Sequence, residues 1–322
     1  MSELVMQLRR HTNPAVLTAS GCIVLLLIAG SFYSANFLSP NYLLQQLQVA
    51  SFLGVIATGA MVVILLGHID LSVPWVVTLG GMMATAAAGW WGDVGAALAI
   101  PFGVACGAVV GLLNGVGVAY LRVPSMIFTL GMNAVVQGLV VVYTGGFAPQ
   151  DRATEAMHDL ATGRTVLGFP NALLLWAVLS VLMIFVLTRT TLGRKIYAIG
   201  NREKAAYLSG INTRMVTLIC FVISGAASGL AGVLLAGYAT KAYQAMGDAY
   251  LLPAIAAVVL GGTNILGGRG TYAGTIVGVI LITLLQSILS VMQIEEMGRQ
   301  IIYGAVIIVM LLTYGRGAKT QG

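Results

Sequence analysis

Thr129, Asn133 and Gln137 fall at i, i+4 and i+8 within one apolar run, so a helix gathers them into a single polar stripe. Gln286 and Ser290, together with Thr283, Ser287 and Gln293, set a similar stripe in a later run. All are neutral donors and acceptors, and two roles fit them. They can meet the hydroxyls of an uncharged polar solute crossing between helices, or they can hydrogen-bond one packed helix to another. On the first reading Thr129, Asn133, Gln137, Gln286 and Ser290 are candidate solute-pathway residues. Proton or sodium coupling calls for ionisable groups inside apolar segments. His68 and Asp70, in GHIDLSVP, are the main ones. Capping of a helix that starts near Pro74 accounts for Asp70 or Ser72 better than ion coupling does.

Covalent chemistry finds no support. The pattern G-x-x-x-x-G-K-[ST] is absent, so the chain carries no nucleotide-binding P-loop of its own. The glycine cluster GGTNILGGRG, residues 261–270, lacks the Lys-Ser/Thr pair and reads as a sharp turn in an apolar hairpin. No Ser/His/Asp, Cys/His or paired-carboxylate constellation stands out. Cys22, Cys106 and Cys220 lie singly in apolar runs with no metal-binding spacing, which makes them small buried hydrophobes. No catalytic residue, metal or cofactor is expected on this chain.

One polar stretch separates two long apolar runs. Residues 189–214, RTTLGRKIYAIGNREKAAYLSGINTR, hold six of the sixteen Lys and Arg against a single acid, Glu203. Asn201 is placed to cap a short helix over 202–209, and Gly210 to end it. Helices under about 12 residues are marginal alone in water, so this one needs a surface to dock on. Ala205, Ala206 and Leu208 offer a low apolar patch with Tyr207 beside it, flanked by Arg202, Glu203, Lys204 and Ser209. Docking into a cytoplasmic protein and adhesion to anionic lipid headgroups both fit this composition.

The elements that must position these groups follow from composition. With 58% hydrophobic and only 8% charged residues, and a mean hydropathy of +0.94, the chain is far from a soluble domain, where about a quarter of residues are charged. It is an all-α, polytopic membrane protein, a single transmembrane domain over residues 1–322 with 189–214 as a loop within it. A span takes roughly 20 apolar residues. Ten are placed near 15–35, 49–67, 74–91, 94–120, 126–145, 170–188, 215–238, 251–265, 271–292 and 299–315. With both termini cytoplasmic, twelve Lys and Arg face the cytoplasm and only Arg152, Arg164, Lys241 and Arg299 face outward. That is the asymmetry expected of short cytoplasmic loops. An even count preserves it, and eight spans with re-entrant pieces is the alternative. The net charge of +6 therefore reads as topology, and nucleic acid is not a partner. The segment 251–268 is short and breaks into glycines. Broken backbone at membrane depth survives only against protein or a water-filled cavity, so this piece is expected to line one. The outer loop 146–168 could meet an external partner. Gly103, Gly107, Gly111 and Gly115 recur every four residues, as do Gly225 with Gly229 and Gly274 with Gly278, and such spacing serves close helix packing.

Four motifs in order carry a resemblance: GHIDLSVP (67–74), VPSMIFTLGM (123–132), TTLGRKIYAIGNREKAAYLSGI (190–211) and PAIAAVVLGGTNILGGRGTYAGT (253–275). Together they resemble the permeases of ATP-binding-cassette importers for ribose, xylose, arabinose and related solutes including autoinducer-2. The resemblance implies a ten-helix inner-membrane permease that works as a dimer, served outside by a soluble binding protein and inside by an ATPase that holds ATP and Mg. It also implies that 194–211 is the region that contacts the ATPase. The sequence departs from the family pattern at His68 and Pro74, where glycines are usual, at Gln137, where an Arg is common, and at Leu251 and Pro253, where many sugar permeases carry acids. An ion-coupled carrier using His68 and Asp70, and an importer permease for nucleosides or branched-chain amino acids, are the competing functions.

Overall fold

The computed structural model describes residues 14–34, 36–147, 151–295, 297–305 and 308. Its helices run in order α1 (Pro14–Tyr33), α2 (Pro40–Leu65), α3 (Val73–Ala119), α4 (Ser125–Thr144) and α5 (Glu155–Thr162), then a two-stranded hairpin of β1 (Arg164–Val166) and β2 (Phe169–Pro170). There follow α6 (Asn171–Arg189), α7 (Thr191–Asn201), α8 (Glu203–Leu208), α9 (Thr213–Tyr238), α10 (Leu251–Leu260) and α11 (Tyr272–Val291). Among the described residues seven helices are long and apolar enough to cross a membrane: α1, α2, α3, α4, α6, α9 and α11. Among the described residues sheet is confined to the small antiparallel hairpin, beside one isolated bridge between Arg152 and Lys241.

The expected spans 74–91 and 94–120 are the two arms of α3. Gly92 stands between them at φ 56°, ψ −131°, a conformation open to glycine alone, and reverses the chain. The arms then lie antiparallel, with Gly95 against the carbonyl of Ala87 and Gly103 against that of Gly80. The glycine repeat does what its spacing implies. Gly107, Gly111 and Gly115 press on the backbone of α9 at Gly225, Phe221 and Leu218, while Gly80 of the first arm meets Gly229 from the other side. Thus both arms of α3 approach α9 closely, largely through backbone, with Val233 the α9 side chain that meets Gly103, and Gly278 seats α11 on Ala257 of α10 in the same way.

Three expectations change. The outer loop holds structure: Thr154 caps α5 by accepting from the Met157 N–H at 3.3 Å, and Met157 and Ala161 bury its inner face. Of the cysteines only Cys220 is buried, whereas Cys106 is half-buried and Cys22 is exposed on α1. The eighth segment is shorter than placed, its helix ending at Leu260 after a 3-10 turn over Asp248–Tyr250. Of the last expected span, residues 299–305 are helical and most of the rest lies outside the described residues, as do Arg9 and Arg10.

Candidate functional site

The basic stretch folds as two helices joined at Arg202. Thr190 opens α7 by accepting from the Gly193 N–H at 3.3 Å, and Gly193, Ile196 and Ile199 turn its inner face to the bundle while Arg194 and Lys195 stay exposed. Packing of Ile196 and Ile199 carries the helix through Asn201. Asn201 is therefore the last residue of α7 and not the cap of the next helix; extended Arg202 stands at that N-cap and lends no side-chain bond. Gly210 does close α8. It sits at φ 81°, its N–H donating to Tyr207 and that of Ile211 to Ala206, the paired bonds of a Schellman motif. Of α8 only Ala206 is buried. Leu208 is 84% exposed and Tyr207 68%, with Ala205, Glu203, Lys204 and Ser209 exposed around them.

This stretch is tied to the two broken segments of the bundle. A Cβ on Gly200 would fall on the carbonyl oxygen of Leu65, the end of α2, and 2.5 Å from the Gly268 nitrogen. The Gly268 N–H in turn donates to that Leu65 carbonyl at 2.9 Å. Tyr197 donates its hydroxyl to the Gly270 carbonyl at 2.9 Å, and burial raises its phenol above the ordinary tyrosine range. Residues 261–270 are a turn, closed by Asn264 N–H on the Arg269 carbonyl at 2.8 Å.

The 66–72 link runs inside the bundle. Asp70 Oδ1 accepts from the Ser72 N–H (3.0 Å) and hydroxyl (2.6 Å), and Oδ2 from the Ser224 hydroxyl (2.9 Å). Ser224 lies about three turns into α9, roughly 16 Å along it. Asn114 Nδ2 donates to Ser72 Oγ at 2.7 Å, and its Oδ1 is buried without a partner among the described residues. Asp70 thus ties Ser72, at the start of α3, to Ser224 of α9; neither Asp70 nor Ser72 caps the free N–H groups of the first turn of α3, where no side-chain cap bond is made. Gly247 packs on the Pro74 carbonyl and its N–H points to Thr78 Oγ1 at 3.4 Å. The turn that leads into α10 therefore lies beside the first turns of α3, so the positive ends of the two helices come near each other.

The five candidate pathway residues divide. Thr129 is fully buried and binds the link, accepting from the Leu71 N–H at 2.9 Å, and Asn133 Oδ1 faces the Trp75 N–H at 3.4 Å. Gln137, on the same stripe, is exposed on the outer side of α4. Gln286 and Ser290 lie on α11, next to the Ser287 that meets Tyr42 of α2 at 2.5 Å. No hydrogen bond joins the two groups. Asn114, Ser224 and Gly200 were not singled out from the sequence. A lone Asn within an apolar helix was the available signal for the first.

With this geometry the relatives can be read. Residues 42–311 match the family described as the branched-chain amino acid transport system permease component. The chain belongs to that family of membrane permeases. The permease is 34% identical to the ribose import permease of Escherichia coli K12 over 94% of this chain and 96% of that protein. It is 30% identical to the D-allose transport system permease of the same strain, over 88% and 86%. It shares 32% with the autoinducer 2 import system permease of Salmonella paratyphi B, over 93% and 85%. No solved structure matches. The permease is a multi-pass inner-membrane protein, and its relatives are transporter subunits, not enzymes.

Proposed function

We propose that the permease is the transmembrane subunit of an ATP-driven importer for a monosaccharide or sugar-like solute. The match with ribose, allose and autoinducer-2 permeases over most of the chain supports this reading. ATP is bound and hydrolysed on a separate cytoplasmic ATPase, a soluble binding protein delivers solute outside, and a second permease chain completes the pathway. Ten spans with cytoplasmic termini put the 189–214 stretch on the ATPase side, in keeping with its six cations.

In this reading residues 202–209 meet the ATPase. The exposed Leu208 and Tyr207 supply the apolar contact, and Arg202 and Lys204 its charged rim. Movement of α8 and α7 passes through Gly200 to Leu65, and so to the link that opens α3, and to Gly268 in the turn between α10 and α11. The buried stripe residues Thr129 and Asn133 brace that moving region, leaving Gln137, Gln286 and Ser290 to face solute between two chains. Asp70, with both oxygens engaged, fits bracing better than ion coupling.

Co-purification from native membranes followed by uptake of labelled ribose, allose and arabinose tests the reading. ATP-dependent accumulation against a gradient is expected. Uptake by the permease alone, driven by a proton or sodium gradient, would sink it.

A further inference from the structure

A cavity of about 470 Å³ opens at the end of the bundle opposite the basic stretch. Three helices link the two ends. α2 runs from Asn41 at the cavity to Leu65, α9 from Thr213 up to Tyr238 at the cavity, and α6 starts just beyond the hairpin that carries Arg164 and ends at Arg189. The volume lies within the ~300–1,000 Å³ range of small-molecule sites.

Its lining is unlike the lipid-facing surface around it. Asn41, Gln45 and Gln48 follow one another at i, i+4 and i+7, so α2 turns three amides to the same side. Gln48 is buried and fixed, its Nε2 donating to the Ala161 carbonyl at 2.7 Å, which leaves its Oε1 free to accept. The side chains of Asn36, Asn41, Gln45 and Arg164 make no hydrogen bond among the described residues. The Tyr238 ring is held on edge by Phe52, 5.3 Å between centroids. No carboxylate lines the cavity.

Primary amides donate and accept at once, which is what a sugar hydroxyl also does. An Arg fork spans two neighbouring hydroxyls, and an aromatic ring offers a flat surface to the C–H face of a pyranose or furanose. A cation has no carboxylate to meet here, and the amide and hydroxyl acceptors outnumber the one guanidinium that would draw an anion. We propose that this cavity is an outer vestibule that receives a neutral monosaccharide before the bundle opens. The inference rests on the sugar-importer reading and adds a site to it. Because the cavity is open to water and half its lining is exposed, it holds sugar weakly, as suits a station that must release what it takes up.

The test uses the full-length chain in lipid nanodiscs. Saturation-transfer NMR is recorded with D-ribose, D-allose and L-arabinose separately, and with ribose 5-phosphate. Asn41→Leu and Gln45→Leu replace exposed side chains, and thermal unfolding confirms that each variant folds; Gln45→Glu, of nearly unchanged size, serves if a Leu variant does not. At least one neutral sugar is expected to give a signal, with affinity about tenfold weaker in the double Leu variant from the loss of two hydrogen bonds. In the assembled importer the same variant raises KM for uptake without lowering the maximal rate. Equal signals in wild type and variant, no signal from any neutral sugar, or preference for ribose 5-phosphate overturns the vestibule. If sugar uptake by cells still requires the permease in those cases, the importer reading stands alone. If no sugar uptake requires it, both fall.

Discussion

Gly200 of the basic stretch lies against the backbone carbonyl of Leu65 at the end of α2, with no side chain between them. The same carbonyl accepts from Gly268, so three segments far apart in sequence meet through backbone alone. Close-packed contacts of this kind transmit displacement, since interiors of this density do not yield gradually.

Gly200→Val places a branched side chain in that contact. Overpacking of this order costs about 1–3 kcal/mol and must push α7 off α2. Loss of ATP-driven uptake is expected while the chain still inserts, measured by uptake in vesicles beside membrane quantification. Normal uptake would remove Gly200 from the transmission route.

Leu208→Asp tests the docking surface. The side chain is 84% exposed, so stability should change by no more than about 0.5 kcal/mol. A charge forced into an apolar contact weakens the complex by an order of magnitude or more, about 1.4 kcal/mol per factor of ten. Uptake and permease-stimulated ATPase activity should fall together, with an unaltered unfolding midpoint.

Asp70→Ala strands three buried donors, the Ser72 N–H and hydroxyl and the Ser224 hydroxyl. A loss of about 3 kcal/mol is expected, read as a lowered thermal midpoint in detergent. Asp70→Asn keeps one acceptor oxygen and should retain most uptake, with no new dependence on proton or sodium gradients. Abolished uptake in a well-folded Asn variant would revive ion coupling.

Gly107→Leu fills the seam between α3 and α9, where the glycine faces the Gly225 carbonyl and the Gly229 backbone. No flexible side chain can give way. The cost is about 3 kcal/mol or more, and poor expression with aggregation in detergent should follow. Gly131→Leu on α4, where nothing lies within 4 Å in this chain, is the contrasting variant. It should fold as a monomer unit and report only on contacts between chains.

Much of this was legible from residue order. Apolar length marked the seven long helices among the described residues, and the four-residue glycine spacing marked faces for close packing without naming the partner helix, because both are local properties of a helix. Gly210 as the end of α8 was readable for the same reason. Asn201 was misread because a cap and a helix end look alike until burial of Ile196 and Ile199 decides which helix claims it. The polar stripe on α4 was visible, but its division was not: Thr129 and Asn133 serve the 66–72 link, which approaches them from another part of the chain.

By itself, then, the sequence determined the solvent this protein lives in, its helices, its cation-rich loop and the family of its motifs, since all of these are written in composition and short-range spacing. Only the tertiary structure decided that Asp70 reaches Ser224, that the turn into α10 lies beside the first turns of α3, that Gly200 touches Leu65, and that a cluster of amides shares one cavity with Arg164 and Tyr238. Each of those joins residues whose separation along the chain carries no periodicity to read, and only the packing of whole helices brings them together.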